Sequence, residues 1–207
     1  MMTELPVDLE ARLTAAAPAG LRLIQNTDAK GVTVLWCELA DKNDLLGVAQ
    51  EIKAVKGRLM TISVFQPTPP ESDDDEEEDG DEKSDDGEAV PPASLGGIAI
   101  DGKSYELAYH FDLDGATLTI QVFLAADAAE VISLTPLFRN ADWCERDYME
   151  NYSIHVIGHP DPRRLFLDPS IEPMALERLI PLSTLVNAAS TKALWEKIIS
   201  HQSDTPS

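Results

Sequence analysis

The stretch between residues 104 and 124 restricts the fold more than any other part of this chain. Over 104–112, apolar side chains recur at every second position as Tyr105, Leu107, Tyr109 and Phe111. Over 116–124 the alternation continues through Leu118, Ile120 and Val122, with Asp114-Gly115 between the two runs. Strand side chains point to opposite faces in turn, and an Asp-Gly pair suits the tight turn of a hairpin. The pattern predicts two antiparallel strands that share one apolar face.

The flanking sequence fits around such a sheet. Residues 7–17 read as a short helix with Leu9, Leu13 and Ala16 at helical spacing. Strands are expected at 21–24 and 32–36. A second helix is expected over 42–56, with Leu45, Val48, Ala49, Ile52 and Val55 on one face, Asn43 as its N-cap and Gly57 as its stop. The β-branched run at 59–65 reads as a strand. After the hairpin, 131–138 reads as extended chain. A helix then opens at Asn140-Ala141-Asp142 and runs to Tyr152, with Asp142 and Glu145 spaced as a capping box. Proline-rich irregular chain follows over 160–181, and 191–201 reads as an amphipathic helix carrying Leu194, Trp195, Ile198 and Ile199. The expected class is α+β: a mostly antiparallel sheet with flanking helices, a disordered acidic insertion, and an irregular C-terminal region ending in a helix.

The formal net charge of −21 is unevenly placed. Residues 71–88 hold 13 acids against Lys83 alone. That run has no apolar residues to offset the entropy of ordering, so disorder is expected. It lacks the fixed acid positions and turn glycine of a calcium loop. It divides the chain into a portion over 1–66, an insertion over 67–94, and a portion over 95–207 belonging to the same domain. An acidic balance without basic patches disfavours nucleic acid and anionic membrane surfaces as partners. Cys37 and Cys144 lie far apart and suit unpaired thiols in a reducing compartment. Residues 1–6 have no basic region followed by an apolar core, so no signal peptide is expected. No stretch approaches the roughly 20 apolar residues of a spanning helix. Membrane association would then be indirect, through other subunits.

Motifs for chemistry are missing. There is no phosphate loop, dinucleotide fingerprint, nucleophile elbow or Cys-x-x-Cys spacing. No catalytic residue, cofactor or metal site is therefore expected. His155 and His159, four apart with Cys144 upstream, suggest zinc, but Cys144 has no partner cysteine. Pro160 also argues against one continuous helix carrying both histidines. Arg146 and Glu150 stand as i, i+4 partners on a charged helix. Arg163-Arg164 follows Pro160-Asp161-Pro162, whose prolines stiffen the backbone and reduce the entropy lost on docking.

Taken in order, Trp143, Glu145, Arg146, Ile154, Gly158, His159, Pro160, Asp161, Arg163 and Arg164 resemble the signature of the C-type, thirty-kilodalton subunit shared by respiratory complex I and energy-converting NiFe hydrogenases. That signature reads approximately W-x-E-R-E, D-x-x-G-I, then G-H-P-D-L-R-R-I-L. Asp147 and Glu150 stand as acidic substitutes, Ser153 replaces the usual glycine, and Pro162 the usual leucine. The likeness spans about 104–168. The resemblance implies an α+β fold and a subunit without a cofactor. It also implies docking against a large subunit that holds a quinone pocket or a nickel–iron centre, beside an iron–sulfur subunit. Trp143, Glu145, Arg146, Asp147, Glu150, His159, Pro160, Asp161, Arg163 and Arg164 then become interface or motif-scaffold residues. The chain departs from the respiratory P-L-R-K-D-F-P segment after Asp168. That shifts the expectation toward the hydrogenases, in a cytoplasmic position on the inner face of the membrane. The C-type subunit of an NADH–quinone oxidoreductase is the alternative. An acidic adaptor or assembly factor working through 71–88 is a reading of another class.

Overall fold

The computed structural model describes residues 5–67, 98 and 102–166. The acidic insertion expected over 67–94 and the helix expected over 191–201 lie outside the described residues, apart from Pro67. So does the irregular chain beyond 166.

Seven strands and three α-helices are described. The main sheet has five strands in the order β1-β2-β5-β4-β3. They are β1 (Leu21–Thr27), β2 (Thr33–Leu39), β3 (Arg58–Phe65), β4 (Tyr105–Leu113) and β5 (Ala116–Leu124). The helices are α1 (Leu9–Ala16), α2 (Leu45–Ala54) and α3 (Ala141–Asn151). A small second sheet pairs β6 (Glu130–Ile132) with β7 (His155–Ile157). The α+β class follows, with a mostly antiparallel main sheet. Its one parallel pairing joins β2 to β5, and β6 and β7 are also parallel.

The hairpin forms as its sequence predicts. Tyr109 stands opposite Ile120 and Phe111 opposite Leu118. Asp114 and Gly115 both take positive φ, 55° and 104°, and Asp112 Oδ1 accepts from the Gly115 N–H at 2.9 Å. Two left-handed residues give the turn a twist that matches the strands. The same alternation places Leu35 and Cys37 of β2 beside Leu118 and Ile120. One sheet face is thus continuously apolar. Leu9 and Leu13 of α1, Leu45, Val48, Ala49 and Ile52 of α2, and Ala141 and Tyr148 of α3 join that face in a single buried cluster. Burying each large aliphatic or aromatic side chain there contributes about 1.5–3 kcal/mol before entropy is counted. The opposite sheet face carries Arg22, Trp36, Glu38, His110, Thr119 and their neighbours.

Three local expectations need correction. Asn43 is not the cap of α2: Asp41 caps a preceding 3-10 turn, Lys42–Asp44, and its side chain accepts from Asn43 N at 2.9 Å. The chain over 131–138 is extended only through Ile132, after which it turns so that Phe138 N donates to Leu134 O. That turn lets Phe138 meet Phe111 edge-on at 5.4 Å. The capping box at α3 does not form, because Glu145 points into the core instead.

Candidate interaction site on α3 and its following loop

Helix α3 is amphipathic in an unusual way, with carboxylates among its inward-facing groups. Glu145 is fully buried. Its carboxylate accepts from Ser133 Oγ at 2.6 Å, Leu134 N at 2.6 Å and Thr135 Oγ1 at 2.8 Å. These donors belong to the turn after β6, so one side chain ties helix to turn. Burial pushes the Glu145 carboxyl above its usual range, and the three donors with His159 pull it part of the way back. His159 is buried beside it. Its Nε2 lies 3.4 Å from Asp142 Oδ1 and 3.6 Å from Glu145 Oε2, and its Nδ1 accepts from Asp161 N at 3.0 Å. That accepting Nδ1 places the proton of a neutral ring on Nε2, facing both carboxylates.

The chain after α3 is bound back onto the helix. Ser153 takes φ 53° and Gly158 φ 77°, which turn the backbone around β7. Arg146 then reaches the returning chain, donating through Nε to Arg163 O and through Nη2 to Arg164 O, both at 2.8 Å. Glu150 accepts from Leu165 N at 2.8 Å and Phe166 N at 3.0 Å. The i, i+4 pair of Arg146 with Glu150 is therefore not the arrangement found: each grips loop backbone instead. A guanidinium that satisfies two carbonyls and a carboxylate that satisfies two amides hold the loop by charge-assisted bonds. Asp161 in turn accepts from Nε and Nη2 of Arg163, each at 2.6 Å. That guanidinium holds the Asp161 carboxyl down at about 2.

The sequence-derived residues thus divide into two groups. Glu145, Glu150 and His159 are buried and hold the motif together, and Arg146 acts on the loop backbone. Trp143 is 65 % exposed on the outer side of α3, and Pro160 and Arg163 are exposed on the loop. Asp147 is half-buried and accepts from Asn151 at 2.9 Å. A shallow cleft of about 150 Å³ lies between helix and loop, lined by Arg146, Met149, Glu150, Pro162, Arg163 and Arg164. Phe166, 68 % exposed at the end of the loop, was not singled out by the sequence. Its only signal was an aromatic placed directly after the arginine pair and Leu165. His155 is exposed on β7 while His159 is buried, so the two histidines do not face a common point. Among the described residues no group of three or more His, Cys, Asp or Glu is placed to hold a metal ion. Cys37 is buried beneath the sheet, and desolvation pushes its thiol up to about 12.

Residues 92–185 match the family model described as respiratory-chain NADH dehydrogenase, 30 Kd subunit. That span is similar to the thirty-kilodalton, C-type subunit family. The matched span contains β4, β5, α3 and the bound loop. The C-type subunit of the NADH-quinone oxidoreductase of Mesorhizobium japonicum is 33% identical over 85 residues, which are 41% of this chain and 42% of that protein. Its counterpart in a Rhodopseudomonas palustris strain is 30% identical over 102 residues, 47% of this chain and 50% of that one. The J-type subunit of the NAD(P)H-quinone oxidoreductase of a Synechococcus species is 42% identical over 67 residues, 30% of this chain and 38% of that protein. The chain spans half or less of the length of these curated relatives. Among solved structures, a trypsin-resistant fragment of Nqo5 gives a TM-score of 0.48 at 18% identity, covering 75% of this chain and 99% of that one. A chain of the membrane-bound sulfane sulfur reductase, an archaeal respiratory membrane complex, gives 0.49 at 12% identity, covering 78% and 77%.

Proposed function

We propose that the chain is the C-type subunit of an NADH–quinone oxidoreductase-like respiratory complex, and that it works by holding neighbouring subunits rather than by chemistry of its own. One observation carries this reading. The segment that matches the family is also the one in which Arg146, Glu150 and His159 bind a loop onto α3 and leave Trp143, Arg163 and Phe166 outward. Trp and Arg are favoured anchors of protein interfaces, and a loop already bound to its helix loses little entropy on docking. The three relatives named above are quinone oxidoreductase subunits. That favours the quinone reading over the hydrogenase expected from the missing P-L-R-K-D-F-P segment.

In this reading the large subunit with the quinone site and an iron–sulfur subunit are the neighbours. No described helix is long and apolar enough to cross a membrane. In this reading the neighbours hold the chain on the inner face of the membrane. The experiment is affinity purification of the tagged chain from gently solubilised membranes, with mass spectrometry, metal analysis and an NADH–quinone assay. Co-purification of flavin, iron–sulfur and quinone-site subunits with NADH oxidation is expected. A nickel-containing large subunit would return the reading to the hydrogenases, and a lone chain without redox partners would end it.

A further inference from the structure

The chain after β7 is held to α3 in a way that takes no account of its side chains. Arg146 donates through Nε to Arg163 O and through Nη2 to Arg164 O. One turn further along α3, Glu150 accepts from Leu165 N and Phe166 N, both on the same oxygen, Oε2. Residues four apart lie on one side of a helix, so the two side chains grip the loop from neighbouring positions. Every group in their grip is main chain: two carbonyls and then two amides, in four consecutive residues. His159 extends the pattern, since its Nδ1 accepts from Asp161 N. Apart from proline, every residue type carries the same main-chain donor and acceptor. The hold on 163–166 is therefore blind to the sequence it holds.

The side chains so presented differ in what they still have to offer. The Arg163 side chain is 81 % exposed, but its Nε and Nη2 both donate to Asp161. The loop answers that charge itself. Phe166 is largely exposed, and its amide is one of the four held groups. A phenyl ring has no hydrogen-bonding group, so an apolar pocket is what recognises it. It also turns about only two side-chain bonds, and its main chain is already fixed. Little entropy is left to lose when the ring docks.

We infer that Arg146 and Glu150 are positioning residues that fix the main chain of 163–166 whatever side chains it carries, and that Phe166 selects the partner by entering an apolar pocket of the neighbouring subunit. The inference rests on the proposed function, which supplies that subunit. It adds which residue chooses the subunit and which residues only hold the chooser. Holding and choosing are then separable. Position 166 can be exchanged without moving the loop, and the loop can be released without touching the ring.

The test reads two quantities for the tagged full chain and its variants. One is recovery of partner subunits from gently solubilised membranes. The other is hydrogen-exchange protection of the 165 and 166 amides in the purified full chain, with the β4–β5 hairpin as the control for folding. Phe166→Asp should lower recovery about tenfold or more and leave both amides protected. Glu150→Leu should strip that protection and lower recovery too, with the hairpin unchanged. Arg146→Gln, at the other end of the hold, gives a second and independent release. Glu150→Gln keeps an acceptor oxygen in place and should rescue both quantities, which a role for the negative charge alone would not allow. A photo-reactive phenylalanine at position 166 of the intact complex should form adducts with another subunit. Adducts confined to this chain would overturn the inference. So would amides that lose protection in Phe166→Asp, or that keep it in both Glu150→Leu and Arg146→Gln. Full recovery of the partners in Phe166→Asp would overturn it as well. A parent chain that recovers no redox subunits ends the proposed function itself, whereas equal recovery by the parent and every variant leaves that function standing and ends only this inference.

Discussion

Glu145 shows how one residue can be a liability and an organiser at once. Its carboxylate has lost water entirely and has three protein donors in its place. Truncation leaves Ser133, Leu134 and Thr135 with unanswered polar groups. Glu145→Ala should therefore cost about 3–5 kcal/mol in urea unfolding, and a loss under about 1 kcal/mol would refute the buried role. Asp161 behaves in the opposite sense on the surface. Its folded-state pKa is depressed to about 2 from an ordinary 3.8. The stabilisation from its Arg163 partner is therefore present above the ordinary value and is lost as pH falls toward 2. An NMR titration should place Asp161 well below the usual carboxylate range in the parent and return it to that range in Arg163→Ala. A parent value near 4 would show that the pair does not form in solution. At Ser153, φ of 53° puts an L-residue with a side chain in the left-handed region. Ser153→Gly should relieve that strain and raise stability by a few tenths to about 1 kcal/mol, read from the shift in urea midpoint.

At the scale of elements, the end of α2 shows two residues sharing a task usually given to one. Lys56 takes the left-handed position, φ 65°, with its N–H on Lys53 O at 3.0 Å, while Gly57 N closes on Ile52 O at 2.8 Å. This is a Schellman closure with lysine where glycine is usual. Gly57 matters instead because a Cβ there would lie 2.5 Å from Ile52 Cγ2 and 2.7 Å from Leu113 Cδ2. Both neighbours are core side chains with little room to retreat. Gly57→Ala should lower stability by about 1–3 kcal/mol through overpacking between α2 and the sheet. An unchanged urea midpoint would mean that the helix end can shift at no cost. Strands β1 and β2 extend past the windows expected for them, to Thr27 and Leu39. Ladder pairing rewards every residue in register, including polar ones that carry no hydrophobic alternation.

For the whole molecule, the informative bond is between Gly102 N and Pro67 O at 3.0 Å. It lies just beyond the β3–β4 pairing, which ends at Phe65 and Glu106, and brings positions 67 and 102 together. The residues that flank the 34-residue segment 68–101, which carries the acidic run, therefore lie side by side. Replacing that segment with a four-residue turn should preserve the fold. Shortening the closed loop should add about 1–2 kcal/mol of stability by loop entropy. Thermal unfolding of the shortened chain checks this, and loss of the cooperative transition would show that the segment contributes to the core. The same deletion addresses the acidic-adaptor reading. Under the proposed function the shortened chain still recovers its redox partners.

Alternation and spacing were enough to establish that the chain builds an α+β sheet, where its central hairpin lies, and which faces of α1 and α2 go inward. These are local properties: a two-residue period assigns a side chain to one face of a strand, and a 3.6-residue period assigns it to one face of a helix. The order of residues from Trp143 to Arg164 was also enough to indicate the family. The roles within that motif were not legible, because they depend on contacts between distant segments. Glu145 reads as a cap residue along the sequence, and only the turn at 133–135 makes it a buried acceptor. Arg146 reads as a partner for Glu150, and only the return of the loop offers it two carbonyls. Trp36 sits inside an apolar strand run, and only the placement of every described helix on the other face leaves it partly exposed. A sequence states which side chains share a face, whereas what covers that face is decided when the elements pack.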